Sequence, residues 1–246
     1  MDRDLARKVT AEAVGTAMLV AVVVGSGIYA QRLSPNDIGL QLLENSIATG
    51  AGLVALILAF GSVSGAHFNP VVSLADRLLG GLSTRELVAY VPAQIVGACV
   101  GAVVANLMFE LDAVTWSTHT RSSGGLWLGE VVATFGLLMV IFGVVRGGRA
   151  STAPLAVGGY IAAAYWFTSS TSFANPAVTV GRTLSDSFAG IKPSSAPAFI
   201  VAQIVGGLLA VVLARFLYPD LPAAELVVPH DHATRASSPS GSPGNG

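Results

Sequence analysis

The sequence predicts an all-α membrane protein with six transmembrane helices and two re-entrant half-helices, arranged as an inverted repeat. Three observations carry this reading. Only 11% of the 246 residues are charged and 52% are hydrophobic, whereas soluble domains average about 25% charged. The charges cluster between apolar runs long enough to cross a bilayer, which takes about 20 residues. Finally, the dipeptide Asn-Pro occurs twice, each time opening an apolar run too short to cross.

Taken in order, the spans are expected near 8–30, 40–62, 84–108, 126–147, 154–171 and 196–218. Breakers and charges separate them: Ser34-Pro35-Asn36-Asp37, Gly80-Gly81, Arg121 to Gly125, Arg146 to Arg149, and Lys192-Pro193. The first run is too long for a signal peptide and has no small-residue cleavage site, so it is read as a retained span. Residues 1–218 are therefore expected to form one membrane domain, with 219–246, rich in Ser, Pro and Gly, as a disordered tail. The basic residues divide nine to four (Arg3, Arg7, Lys8, Arg77, Arg85, Arg146, Arg149, Arg215 and Arg235 against Arg32, Arg121, Arg182 and Lys192). This bias places both termini in the cytoplasm, in an inner (plasma) membrane. Trp116, Trp127 and Trp166 then fall together at the outer face as an interfacial belt. A net charge of −1 gives no footprint for nucleic acid. The single cysteine, Cys99, excludes an intrachain disulfide and any Cys-rich metal site.

The two halves, about 5–110 and about 124–218, echo each other. Glu12-Ala13-Val14-Gly15-Thr16 parallels Glu130-Val131-Val132-Ala133-Thr134, and Ala93-Gln94-Ile95-Val96-Gly97 recurs as Ala202-Gln203-Ile204-Val205-Gly206. Asn69-Pro70-Val71 matches Asn175-Pro176-Ala177 in the same order. Three spans per half is an odd number, so the second half must be inverted, which puts the working site at the midplane interface. Asn is a strong cap and Pro suits the first helical position, so each dipeptide should start a half-helix of roughly 12–15 Å. Its positive end then points at the bilayer centre. Non-helical backbone at that depth must be buried in protein or line a watery cavity, so the pair implies a pore.

With Ser64-Gly65-Ala66-His67-Phe68-Asn69-Pro70-Val71 and Asn175-Pro176-Ala177 in view, the chain resembles the aquaporin/glycerol-facilitator (major intrinsic protein) family from residue 5 to about 218. The resemblance implies a homotetramer with one pore per subunit, conducting small neutral solutes passively. Asn69 and Asn175 would offer amide hydrogens to the solute. The two opposed dipole ends would bar cations and proton hopping. No cofactor, metal or enzymatic activity goes with it.

One departure stands out. Family members usually carry arginine directly after the second Asn-Pro-Ala, where this chain has Val178. Transferring the four constriction positions by spacing gives Thr49, Ala163, Ser172 and Val178, a set with no aromatic ring, imidazole or charge. The expectation is a wide filter that passes solutes larger than water. Val71, with the run Ser172 to Val180, is similar to the bacterial branch found with arsenic-resistance genes. That likeness implies passage of As(OH)3 or methylated arsenicals.

Several residues have two readings from sequence alone. Glu12 and Glu130 are intramembrane acids that could relay protons or accept hydrogen bonds from the broken loops; the symmetry favours the structural role. His67 could line the cytoplasmic half of the pore or bond a neighbouring backbone group. Arg182 lies four residues after Val178, about 6 Å further out. It could place a charge in the outer vestibule or pair with Asp186. Glu44 near the outer end of the second span gets no role. Gly97 and Gly101 read as close helix packing, with Cys99 filling beside them. Ser169 to Ser172 read as pore wall, since no nucleophile–base or metal constellation accompanies them. The competing functional class is a secondary transporter with alternating access through Glu12 and Glu130, which also uses inverted repeats and broken helices.

Overall fold

The computed structural model describes residues 2–219. Apart from Pro219, the tail expected at 219–246 lies outside the described residues, as do its His230, His232 and Arg235. The described chain is helical, without strands, and runs α1 (Arg3–Leu33), α2 (Ile38–Ser64), α3 (Pro70–Leu79), α4 (Thr84–Met108), α5 (Gly124–Arg146), α6 (Ala153–Phe167), α7 (Pro176–Arg182) and α8 (Ala196–Leu217).

Local sequence sets most of the starts. Asp2, Asp37 and Ser123 cap α1, α2 and α5 by accepting backbone N–H bonds from Leu5, Leu40 and Leu126. Ser83 and Glu86 form a reciprocal capping box at α4. Asn69 and Asn175 cap the two half-helices, with Pro70 and Pro176 at their first positions. Two ends rest on glycines in the left-handed region, Gly65 (φ 83) after α2 and Gly80 (φ 90) after α3.

Among the described residues, five helices are long and apolar enough to span a membrane; α6 is not one of them. The span expected to reach residue 171 stops at Phe167, leaving 15 residues, about 22 Å of helix. Thr168 turns to extended backbone, because the eight residues before Pro176 must form the loop that carries the second half-helix inward.

Packing repeats in both halves. α1 lies against α2 and α4, while α5 lies against α6 and α8. α2 meets α6, and each half-helix touches the other half, α3 on α8 and α7 on α4. The small-residue seam does what its spacing implied. A Cβ on Gly97 or Gly101 of α4 would overlap the carbonyl oxygens of Ala13 or Ala17 in α1, and one on Gly206 of α8 would overlap that of Val131 in α5. Backbones approach that closely only at glycine. At the α1–α4 end, buried Lys8 pairs with Glu86 at 3.0 Å and Asp4 at 3.3 Å. On the opposite side the loop 109–123 lies along the segment after α7, through Thr115 N–H to Leu184 O (3.0 Å) and Lys192 N–H to His119 O (2.8 Å).

Candidate functional site

The two Asn-Pro elements meet at the centre of the molecule. The Oδ1 of Asn69 accepts from Val71 N–H, and that of Asn175 from Ala177 and Val178 N–H. Their Nδ2 groups cross over: Asn69 donates to Ala174 O at 2.8 Å, and Asn175 donates to Phe68 O at 2.7 Å. Each amide therefore spends one N–H on the opposite loop and keeps the second. The two helix N-termini face one another, and each contributes partial positive charge there.

The loops leading in are strained in the same way. Ala66 and Phe68 have φ of 50° and 48°, and Ser172 and Ala174 have 50° and 48°. Non-glycine residues pay of order 1–3 kcal/mol for such conformations, which persist only when neighbours enforce them. The enforcers are the two acids. Glu12 accepts from His67 N–H (2.9 Å), Phe68 N–H (2.7 Å), Ser64 Oγ (2.6 Å) and Gln94 Nε2 (2.8 Å). Glu130 accepts from Phe173 N–H (2.8 Å), Ala174 N–H (2.9 Å) and Gln203 Nε2 (2.6 Å). The glutamines are themselves tied to the half-helices, through Ser73 and Thr179. With their oxygens occupied by these donors, the carboxylates hold the loops in shape.

A narrow cavity of about 60 Å³ runs past this centre, room for a few water-sized bodies. Its lining mixes aliphatic side chains, those of Leu19, Val23, Leu53, Ile57, Leu137, Ile141, Val157 and Ile161, with the polar groups of Asn69, Asn175, Thr49, Tyr165, Ser172, His67 and Arg182. The Ser172 hydroxyl is buried without a protein partner, and Thr49 Oγ1 lies 3.1 Å from the Tyr165 hydroxyl. A solute that bears hydroxyls on one edge and carbon on the other fits such a surface.

Of the residues expected at the pore, Asn69, Asn175, Thr49, Ser172 and Val178 line this cavity. Of each triplet, only the asparagine does so. Pro70, Val71 and Pro176 face the other way, into an apolar recess shared by α3, α4, α7 and α8. Val71 also presses on Gly207, and Ala177 is fully buried.

Three expectations are corrected. Ala163 is exposed on the outer side of α6; Ile161 and Tyr165 take the cavity face, because two residues along a helix turn about 200°. Arg182 neither pairs with Asp186 nor stands in an open vestibule. Helix α7 ends at Arg182, the chain turns, and Asp186 is taken by Thr118 N–H (2.9 Å) and its hydroxyl (3.0 Å). Arg182 is 1% exposed, lines the cavity, donates Nε to Ala189 O, and places its guanidinium 3.3 Å from the Phe173 ring centroid. The cavity therefore carries a guanidinium and the rings of Tyr165 and Phe173, where the four transferred positions have neither charge nor ring. His67 lines the cavity, one of its two readings, and its ring meets side chains and not backbone, with Nδ1 3.0 Å from Ser73 Oγ and Nε2 3.3 Å from Asp76 Oδ2.

Sequence reading missed Tyr165 and Phe173. Arg121 also lies at Phe173, its guanidinium 5.1 Å from the ring centroid, and donates to the carbonyls of Gly190, Phe188 and Ser170. The signal available for Phe173 was its place two residues before Asn175. Nothing comparable marked Tyr165 beyond its helical phase.

Long helices enclosing two opposed half-helices, with a solute-sized passage past their tips, define a passive membrane channel for small solutes. This chain belongs to the major intrinsic protein family, whose sequence profile matches residues 2–173. It is 49% identical over 214 residues to the Aquaglyceroporin AqpS of Rhizobium meliloti, covering 87% of this chain and 91% of that protein. It is 31% identical over 245 residues to the Probable aquaporin AqpM of Archaeoglobus fulgidus, covering 88% and 99%. The X-ray structure of the aquaglyceroporin from Plasmodium falciparum superposes with a TM-score of 0.67 at 20% identity, over 87% of this chain and 98% of that one. The aquaporin fold and a multi-pass membrane location follow.

Proposed function

We propose that the channel passes small uncharged hydroxyl-bearing solutes, glycerol and As(OH)3 foremost, with methylated arsenicals among them. The observation that carries this is the mixed lining of the cavity. The spare amide hydrogens of Asn69 and Asn175 and the orphan hydroxyl of Ser172 share it with aliphatic side chains. A polyol crossing it exchanges water for these donors while its carbons stay against Leu53, Ile57 and Leu137. As(OH)3 offers the same hydroxyl edge, and a methyl group on arsenic suits the aliphatic side. A 49% identical relative bearing the name aquaglyceroporin supports the polyol reading.

The pore is symmetric in its barrier and passive in its drive. Two N-terminal dipole ends facing each other disfavour a cation at the midpoint from either side. The nine-to-four split of basic residues supports cytoplasmic termini in an inner membrane. Likeness to the family supports a homotetramer in which each chain carries its own pore.

Purified protein in liposomes tests this by stopped-flow light scattering. Glycerol and arsenite gradients should dissipate at least tenfold faster than in protein-free vesicles, with near-linear dependence on gradient and low temperature dependence. Equal rates with and without protein for both solutes would overturn the proposal. Saturable flux coupled to a proton gradient would instead point to the transporter class.

A further inference from the structure

Arg182 is a buried cation that the Asn-Pro chemistry does not explain. It is the last residue of α7, one turn beyond Val178, and both side chains line the central cavity. Among the described residues no carboxylate forms an ion pair with it. Its Nε is committed to Ala189 O and its guanidinium plane rests on Phe173. Five N–H donors on a fixed fork leave several uncommitted. An ionisable side chain at this depth without a counter-charge is expensive, and such groups mark the path of a permeant. The second guanidinium at the same ring, Arg121, differs in kind: three backbone carbonyls absorb its donors.

We propose that Arg182 is the charge-selecting residue of this channel, a guanidinium brought into the pore from one helical turn beyond the valine and held on Phe173 as a platform. This deepens the channel reading above and rests on it. The physical case is short. A fixed positive charge in a narrow low-dielectric passage repels a cation strongly, while its free N–H groups donate to the oxygens of a neutral polyol. Phe173 gives a rigid, apolar seat on which the guanidinium stacks without losing its charge. Arg121, 5.1 Å from the same ring, adds to the positive potential. Charge exclusion here combines the midplane dipoles with a side chain, and the side chain lies on the outer half of the pore.

The test uses the full chain in liposomes and reads two permeants, glycerol and methylammonium, as a ratio. Arg182→Gln should raise the methylammonium-to-glycerol permeability ratio at least tenfold, and Arg182→Lys should hold it within about threefold of the parent. The double variant Val178→Arg with Arg182→Gln restores a cation to the same face and should return the ratio toward the parent. Val178→Glu offers a second route, because a carboxylate at i−4 neutralises Arg182 while its contacts to Ala189 and Phe173 stay in place; it too should raise the ratio tenfold. Parent-like ratios in Arg182→Gln and Val178→Glu, in vesicles whose glycerol flux exceeds that of protein-free ones, would overturn the proposal. A parent protein without glycerol flux would contradict the channel reading itself, which separates the two failures.

Discussion

Two carboxylates, one in each half, hold the backbone that makes the pore. Glu130 accepts from the N–H groups of Phe173 and Ala174 and from the amide of Gln203. Each buried donor left unpaired costs about 1–3 kcal/mol, so Glu130→Ala should lower the midpoint of thermal unfolding in detergent by well over 5 °C. Glu130→Gln, which keeps two acceptor lone pairs, should lose about half as much; an alanine variant as stable as the parent would contradict this role. Asn69 works at the same scale. Asn69→Ala removes a helix cap, worth about 1 kcal/mol, together with the bond to Ala174 O. Glycerol flux per incorporated channel should fall at least fivefold, and a flux equal to the parent's would contradict the amide's part in conduction.

At the scale of elements, the half-helices and the glycine seams decide the geometry. Gly97→Val in α4 drives a branched side chain into the Ala13 carbonyl of α1 and should abolish a monodisperse, folded protein, since overpacking a tight contact costs about 1–3 kcal/mol or more. Gly159→Ala in α6, where a Cβ meets nothing within 4 Å, should be neutral or slightly stabilising, because alanine favours helix by about 1 kcal/mol over glycine. Size-exclusion profiles of the two variants check the contrast. These elements were readable beforehand because their signals are local. Asn-Pro writes its own cap and first turn, Ser83 with Glu86 writes a capping box, and small residues at i and i+4 write a close crossing. The end of α6 was not, because Trp166 to Thr171 carries no Pro, Gly or charge to mark a stop. What stops the helix is the need to reach Asn175, a tertiary demand. The helix ends four residues before the expected 171, and its face turns so that Ala163 lies on the outer surface and Tyr165 in the pore.

For the whole molecule, the inverted repeat explains why the same contacts appear twice, with Glu12, Gln94 and Ser73 answering Glu130, Gln203 and Thr179. The pore is a product of both halves, as each half-helix is pinned by a carbonyl from the other loop. The sequence showed this symmetry plainly because three anchors recur in order. It showed the filter poorly because a filter is a junction of four or five elements. The place of Arg182 depends on where α7 ends, on the loop that returns through Ala189, and on Phe173 beneath it. Spacing from Val178 showed that the two residues share a face but not that the guanidinium folds into the cavity. A guanidinium and two aromatic rings in the cavity, where a neutral set without rings is expected, bring charge and hydrogen bonding into selectivity beside size.

Conduction requires that solute passes beside the two half-helix tips, along the lining that bears Ser172. In a Cys99→Ser background, Ser172→Cys and Ala163→Cys place a thiol on the cavity face and on the outer face of α6, and neutral mercuric chloride is added to liposomes carrying each. The account predicts that mercury cuts glycerol flux through Ser172→Cys by at least tenfold, that glycerol slows the block, and that Ala163→Cys is unaffected. Block of Ala163→Cys with Ser172→Cys left conducting would contradict it.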